Sequence, residues 1–303
     1  MPGAGAEDIQ ERLNVSKPGP KLSVCSIALR AKPVDEAFRI AAQAGYENVE
    51  VFASLPGTHA FRDMDSAARG RIRDLAARNG LRICAMAGAV GGGFSADGEP
   101  EREAELRRVM MEIDLAADIG APLARVGPGE GEDFDKIMSR AAPYLRRAAS
   151  YAEKKRLRLG IENHSGSITA NPDHAAALCR EVASPAFGII YDPGNLFGRK
   201  TDYKRGLEVM IGHIAHVHLK DGYPHYFGND GFAPQRLACT LFGEGQLDIP
   251  WIIERLTAAG YGGYVSVEYE GWHPEYRLPE AEEGLAIVRR YMARWFPLGR
   301  PPA

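Results

Sequence analysis

From Lys21 onward, short apolar runs rich in Val and Ile alternate with longer segments in which apolar residues recur at helical spacing. Runs of this length bounded by glycine or polar residues predict strands buried on both faces, and the longer periodic segments predict helices packed on one side. The strand candidates are Leu22 to Ile27, Asn48 to Phe52, Leu81 to Met86, Leu123 to Val126, Leu157 to Glu162, Phe187 to Asp192, His216 to Lys220 and Tyr264 to Tyr269. Pro33, Pro172 and Pro250 fall where helices would begin, because a first turn does not need the amide hydrogen that proline lacks. Gly45, Gly80, Gly120, Gly212 and Gly260 fall where helices would stop. One unit also repeats: Ala44-Gly45-Tyr46 leads into Val49-Glu50-Val51, and Ala259-Gly260-Tyr261 leads into Val265-Ser266-Val267-Glu268.

Strands alternating with helices predict an α/β fold with a parallel sheet. Eight such units within residues 21–303 predict a single (β/α)8 TIM barrel of eight parallel strands. An open doubly wound sheet would announce a glycine-rich phosphate loop after its first strand, whereas Ala28-Leu29-Arg30-Ala31-Lys32 stands there. Residues 1–20, with Pro2, Gly3, Gly5, Pro18, Gly19 and Pro20, predict a flexible amino-terminal arm that lacks the apolar core of a secretion signal. Gly88 to Gly98 follows the third strand, where an active-site loop belongs.

The chain has 303 residues, 45% of them hydrophobic and 25% charged, which is enough apolar material for a large core. A net charge of -3 without a basic run argues against nucleic acid as a partner. The cysteines Cys25, Cys84, Cys179 and Cys239 are far apart and show no paired ligand spacing, the pattern of reduced thiols in an intracellular protein. No stretch reaches the roughly 18 apolar residues of a membrane span. A soluble, cytoplasmic protein with no membrane partner is therefore expected.

Working residues of such a barrel sit at the carboxyl ends of strands. Four ends combine an apolar run with an ionisable side chain: Ile161-Glu162-Asn163-His164, Tyr191-Asp192-Pro193-Gly194-Asn195, His216-Val217-His218-Leu219-Lys220-Asp221 and Val267-Glu268-Tyr269-Glu270. A carboxylate or imidazole there loses solvation and needs a partner, a metal or a pKa shift. Each alone reads more simply as a structural ion pair; four on successive strands invite one explanation. Glu162, Asp192, His218 and Glu268 form a hard, oxygen-rich donor set that suits one divalent metal, Mn²⁺ first, with Mg²⁺ or Co²⁺ as alternatives. His216 shares a strand face with His218 and reads equally as a core histidine or as a group supporting the ligands.

As a set, these segments, together with Gly243-Glu244-Gly245 and Asp248, resemble the xylose isomerase-like barrel proteins, the sugar phosphate isomerase/epimerase group, from about Lys21 through the last strand and its helix. The resemblance implies that Glu162, Asp192, His218 and Glu268 are metal ligands and that Glu162 and Glu268 are the catalytic pair moving protons on opposite faces of the substrate. A metal on a ketone oxygen and the neighbouring hydroxyl acidifies the C–H between them and stabilises an enediolate, so a carboxylate on either side can serve as base and acid. Lys220 would add positive charge beside the oxyanion, with a salt bridge to Asp221 or another neighbour as its plainer role. The sequence departs from ketose epimerases of this group in two places. Asn195 stands three residues after Asp192 where a histidine is usual, and Ser165, Gly166, Ser167 and Ile168 stand where a second glutamate is usual.

His164, Asn195, Lys220, Arg236, Trp272 and His273 are the candidate substrate contacts; His164 reads equally as a compensating acid or base or as a hydrogen-bonding wall residue, Arg236 as a holder of carboxylate or phosphate, and Trp272 equally as a structural residue. The aromatic segment Gly222 to Phe242, with Tyr223, Tyr226, Phe227 and Phe232, reads as a lid or an oligomer contact. The expected function is a metal-dependent isomerase or epimerase of a ketose or related polyhydroxy carbonyl compound. The alternative is a metal-dependent dehydratase of an inosose- or dehydroshikimate-like substrate, because the same base can expel a β-hydroxyl. A phosphodiesterase would gather more histidines and metals, and a non-catalytic sugar binder would have lost ligands. A sugar-like small molecule is the expected partner, and a homo-oligomer is an expectation by analogy alone.

Overall fold

A computed structural model of the chain describes residues 19–53, 58–131, 133–228, 234–271 and 273–297. All but the last two residues of the expected arm, and also Trp272 and Phe232, lie outside them. Eight parallel strands close into a barrel: β1 (Lys21–Cys25), β2 (Asn48–Phe52), β3 (Arg82–Ala87), β4 (Leu123–Arg125), β5 (Arg158–Glu162), β6 (Phe187–Tyr191), β7 (Ile214–Leu219) and β10 (Tyr264–Val267). Around the barrel the order is β1, β10, β7, β6, β5, β4, β3, β2, and Lys21 pairs with Tyr264 to close the ring. The expected (β/α)8 TIM barrel is the observed fold. What the periodicity does not announce is the antiparallel hairpin β8 (Asp221–Tyr226) and β9 (Gln235–Thr240), which rises from the end of β7.

Side-chain alternation along each strand divides the protein into two apolar zones. Leu159, Ile161, Ile189, Tyr191, Val217, Leu219, Val265 and Val267 join the large cluster between barrel and helices. The alternate positions face the barrel axis, where Cys84, Leu123 and Ile190 pack with Ala215 and Tyr264. Two strand positions on, the same inward faces carry ionisable groups at the mouth. Glu162, Asp192, His218 and Glu268 follow Gly160, Ile190, His216 and Ser266 in this way.

Helices begin and end largely where the punctuation predicts. Pro172 and Pro250 sit in the first turns of Pro172–Val182 and Ile249–Ala258, and Pro33 caps Val34–Gln43. Gly45, Gly80, Gly120 and Gly260 take positive φ, the left-handed conformation that ends a helix without a Cβ penalty. Gly212 instead lies inside a short 3-10 turn, Ile211–His213, with no left-handed conformation. The stretch after β3 forms a 3-10 turn, Gly92–Ser95, and its Gly91 amide donates to the buried Glu105 carboxylate. It packs against the helix Glu99–Ile119 and does not line the mouth cavity described below.

Asp221 anchors the hairpin. Its Oδ1 accepts from the amides of Gly222 (2.8 Å) and Leu247 (3.2 Å), and its Oδ2 from those of Gly243 (2.8 Å) and Gly245 (3.2 Å). One buried carboxylate thus organises the Gly243-Glu244-Gly245 turn. Asp221→Ala would orphan these amides, and each charge-assisted bond is worth about 1.5–3 kcal/mol. The variant is expected to lose roughly 3–5 kcal/mol of stability in chemical denaturation; a loss under about 1 kcal/mol would contradict this role.

Candidate metal centre

Each strand delivers its side chain by a local device. On β5, Glu162 ends the strand, and its carbonyl accepts from Thr169 Oγ1 at 2.6 Å. After β6, Asp192 caps the helix Pro193–Gly198: Oδ1 accepts from the Asn195 amide at 2.9 Å, so the second oxygen, Oδ2, is left to face the mouth. Asn163 locks this turn by donating to the Asp192 carbonyl (2.7 Å) while accepting from its amide (2.8 Å). A Cβ on Gly194 would come within 2.6 Å of Lys220 Cγ, so glycine there lets the lysine reach past the helix start. His218 and Lys220 reach the same rim from β7 and the residue following it, and Glu268 follows β10 directly.

Glu162, Asp192, His218 and Glu268 each offer a ligand atom, and these atoms all lie within 4.8 Å of one another. Ligand atoms sharing an octahedral cation at about 2.1 Å lie roughly 3–4.3 Å apart, so the spacing fits one ion. His218 Nδ1 is 3.2 Å from Glu162 Oε1 and 3.1 Å from Glu268 Oε1. Asp192 Oδ2 is 3.0 Å from Lys220 Nζ, but the approach is not that of a hydrogen bond, and among the described residues this fully buried oxygen has no hydrogen-bond donor. An orphaned carboxylate oxygen among hard donors is what a divalent cation would satisfy.

The electrostatics follow from burial and neighbours. Burial opposes ionisation of Glu162, yet Arg125 (Nε to Oε2, 3.0 Å) and then His218 outweigh it and hold the carboxyl well below the usual range. Burial, reinforced by Glu268 and Glu162 and opposed by Lys220, pushes Asp192 up to about 6. Burial works against the Lys220 charge, but Asp192, Glu268 and Glu270 together raise its pKa well above the ordinary lysine value. His218 is likewise raised against burial by Glu268, Glu50 and Glu162.

The expected substrate contacts divide. His164, Asn195, Lys220 and Arg236 line a cavity of about 210 Å³ at the mouth, beside Arg125, Glu162 and Glu268. His164 is exposed, with Nδ1 3.0 Å from the Ser165 carbonyl, and Asn195 Nδ2 donates to Glu162 Oε1 at 3.0 Å. Lys220 pairs not with Asp221 but with Asp192, with Glu268 Oε2 (2.6 Å) and with Glu270 Oε2 (3.3 Å). Arg236, on β9, lies with its guanidinium 4.0 Å from the Phe227 ring centroid. His273 lines not this cavity but an adjoining one that shares Ile27 and Glu270 with it; its Nδ1 accepts from the amides of Glu275 and Tyr276, and Nε2 meets the Tyr223 hydroxyl, tying the hairpin to the segment after β10. A groove of about 460 Å³ at the opposite end of the barrel, by Lys21, Asn48, Arg82 and Arg289, contains neither group of ligand-type side chains found among the described residues.

Three residues of the site receive no role from the sequence. Arg125 ends β4, Glu270 follows Glu268 by two positions, and Glu50 sits within β2. Each carries the signal used for the other four, a charge next to an apolar run. In Leu123-Ala124-Arg125 and Val49-Glu50-Val51 it is a single residue, which reads most simply as a structural ion pair.

Comparison with known proteins agrees with this architecture. The chain is 25% identical over 260 residues to the L-ribulose-5-phosphate 3-epimerase of Salmonella typhi, covering 83% of this chain and 86% of that one. It resembles the E. coli 3-keto-D-glucoside 4-epimerase structure with a TM-score of 0.69 and 17% identity, over 89% of this chain and 99% of that one. A xylose isomerase-like TIM barrel protein of Mycobacterium smegmatis, in complex with magnesium, matches with a TM-score of 0.67 and 17% identity, over 91% and 96% of the two chains. At such identities the two structural likenesses establish the fold. A family model described as xylose isomerase-like TIM barrel matches residues 38–291, and the chain belongs to that family.

Proposed function

We propose that this protein is a divalent-metal-dependent isomerase or epimerase of a ketose or related polyhydroxy carbonyl compound. The observation that carries the reading is the convergence of Glu162, Asp192, His218 and Glu268 at the barrel mouth. The similarity to an L-ribulose-5-phosphate 3-epimerase supports the substrate class. Mn²⁺ is the ion of first choice for this donor set, with Mg²⁺ or Co²⁺ as alternatives. When bound, it would supply Lewis-acid polarisation of a substrate carbonyl.

The remaining chemistry belongs to the chain. Glu162 and Glu268 come from β5 and β10, which stand apart in the barrel with β6 and β7 between them, so their carboxylates approach the mouth from different sides. Each has one oxygen beside His218 and the other held by a cation, Arg125 for Glu162 and Lys220 for Glu268. Arg125 keeps Glu162 ionised and able to accept a proton from a substrate C–H. Lys220, fixed by its carboxylates, provides positive charge where an enediolate oxygen would form. His164, Asn195 and Arg236 line the space that the rest of the substrate would occupy.

Glu162→Gln and Glu268→Gln keep side-chain size but remove the proton-carrying group. Each is expected to lower kcat by about 10²–10⁴-fold with little change in melting temperature. Activity of both variants is to be followed on pentuloses, hexuloses, their phosphates, inososes and 3-dehydroshikimate. Wild-type turnover retained by both would rule out the proton-transfer pair, and vinyl or aromatic products would select the dehydratase alternative.

A second expectation concerns pH. Asp192 titrates near 6, and only its ionised form serves as a ligand, so protons and metal compete for it. Mn²⁺ affinity is therefore expected to fall as pH drops through 6, by about tenfold or more between pH 7.5 and 5.0 in calorimetric titration. Equal affinity at both pH values would remove Asp192 from the ligand set.

A further inference from the structure

Beneath the ligand cluster, and sharing His218 with it, lies a wholly buried set of polar groups of which Glu50, His216, Ser23 and Ser266 have no part in the proposed chemistry. Glu50 of β2, His218 of β7, and Ser23 and Ser266 of β1 and β10 are each 0% exposed, and His216 of β7 is 1% exposed. Glu50 Oε2 lies 3.0 Å from His216 Nε2, and Glu50 Oε1 lies 3.0 Å from His218 Nε2. His216 Nε2 is also 2.9 Å from Ser266 Oγ, which in turn is 2.5 Å from Ser23 Oγ. The pairing of β2 with β3 shifts register between Val49 and Glu50, an irregularity that re-aims a side chain where a regular strand would not.

A carboxylate inside a barrel needs donors on its oxygens, and it offers only acceptors itself. Two imidazoles meet that need, and to do so each must carry its hydrogen on Nε2. For His218 the consequence reaches the mouth. With Nε2–H directed at Glu50, its other nitrogen, Nδ1, is the one facing Glu162 and Glu268.

The geometry points to Glu50 as a positioning residue that fixes the ring orientation of His218 and holds a proton on its Nε2, so that Nδ1, on losing its proton, is the nitrogen presented to the metal. His216, held by Ser266, is the second restraint that keeps Glu50 in place. The inference rests on the reading of Glu162, Asp192, His218 and Glu268 as metal ligands. Carboxylates behind a ligating histidine orient the ring and raise its basicity, and their loss typically costs 10–100-fold in metal affinity.

The test pairs a metal titration with a measurement that needs no metal. Calorimetric titration of Mn²⁺ into Glu50→Gln is expected to show affinity reduced by about 10–100-fold at unchanged stoichiometry, with cooperative unfolding retained. In the metal-free protein labelled with 15N-histidine, the hydrogen-bonded Nε2–H of His218 is expected at low field in the wild type and displaced upfield in Glu50→Gln. A folded Glu50→Gln protein with wild-type affinity overturns the proposal, as does a wild-type His218 with no proton on Nε2. Uptake of a second Mn²⁺ per chain also overturns it, because Glu50, His216 and His218 would then be ligands themselves.

If Glu50→Gln fails to fold, His216→Gln removes one restraint while leaving Glu50 in place. It is expected to weaken Mn²⁺ binding, and unchanged binding there sinks the idea equally. A wild-type protein that binds no Mn²⁺ defeats the ligand assignment itself, and the Nε2–H signal then still decides the Glu50 contact.

Discussion

Glu50, Glu162, Asp192, Glu268 and Glu270 crowd the carboxyl end of one barrel, and Arg125 and Lys220 are permanent cations paired with members of this group. Like charges in a low-dielectric interior repel strongly, and each desolvated carboxylate costs several kcal/mol unless compensated. The arrangement answers this in stages. Arg125 takes one oxygen of Glu162, Lys220 spans Asp192, Glu268 and Glu270, and the Glu50 carboxylate is met by two histidines. Between them remain the Glu162, Asp192, Glu268 and His218 atoms that face each other across the mouth, where a divalent cation would settle the excess of negative charge.

The barrel makes this crowding unavoidable once the strands are in register. Period-two alternation sends every second residue to the axis, so charges placed at the ends of β5, β6, β7 and β10 must meet. The interior below them mixes large side chains such as Leu123, Ile190 and Tyr264 with glycines. Gly160 and Gly188 leave room for Ile190 and for the neighbouring strand, since a Cβ on either would fall 2.6 Å from an Ile190 or His213 atom. The hairpin beyond β7 then brings Arg236 to the rim, and Asp221 pins the hairpin to the turn before Ile249–Ala258.

Hydrophobic periodicity made the eight strands and the closed barrel legible, because strands buried on both faces leave continuous apolar runs that few other arrangements require. The convergence of four ionisable side chains was legible for a related reason: a charge ending such a run is anomalous, and Glu162, Asp192, His218 and Glu268 repeat the anomaly. The hairpin was hidden because Asp221–Tyr226 and Gln235–Thr240 carry proline, glycine and polar residues and pair mainly with each other. Lys220 was open between two roles, and only three-dimensional placement shows it turned toward Asp192 and away from the adjacent Asp221. Glu50 and Arg125 were missed because a single charge in a strand says nothing about which distant strand it faces. The tie between His273 and the hairpin depends on Tyr223, fifty positions away in sequence.

In this view the fold supplies positions and the electrostatic imbalance supplies the reason for a cation, and under the proposed function the mouth side chains His164, Asn195 and Arg236 would select the substrate. The central claim is that Glu162 and Glu268 move a substrate proton in a way that depends on a metal held between them. Proton NMR in D2O, with a ketose substrate and trace Mn²⁺, tests it most directly. The account predicts that one C–H resonance is lost, that the isomeric sugar appears carrying deuterium at that carbon, and that exhaustive chelation stops both. Turnover that survives chelation, or a product formed without solvent deuterium, would contradict it.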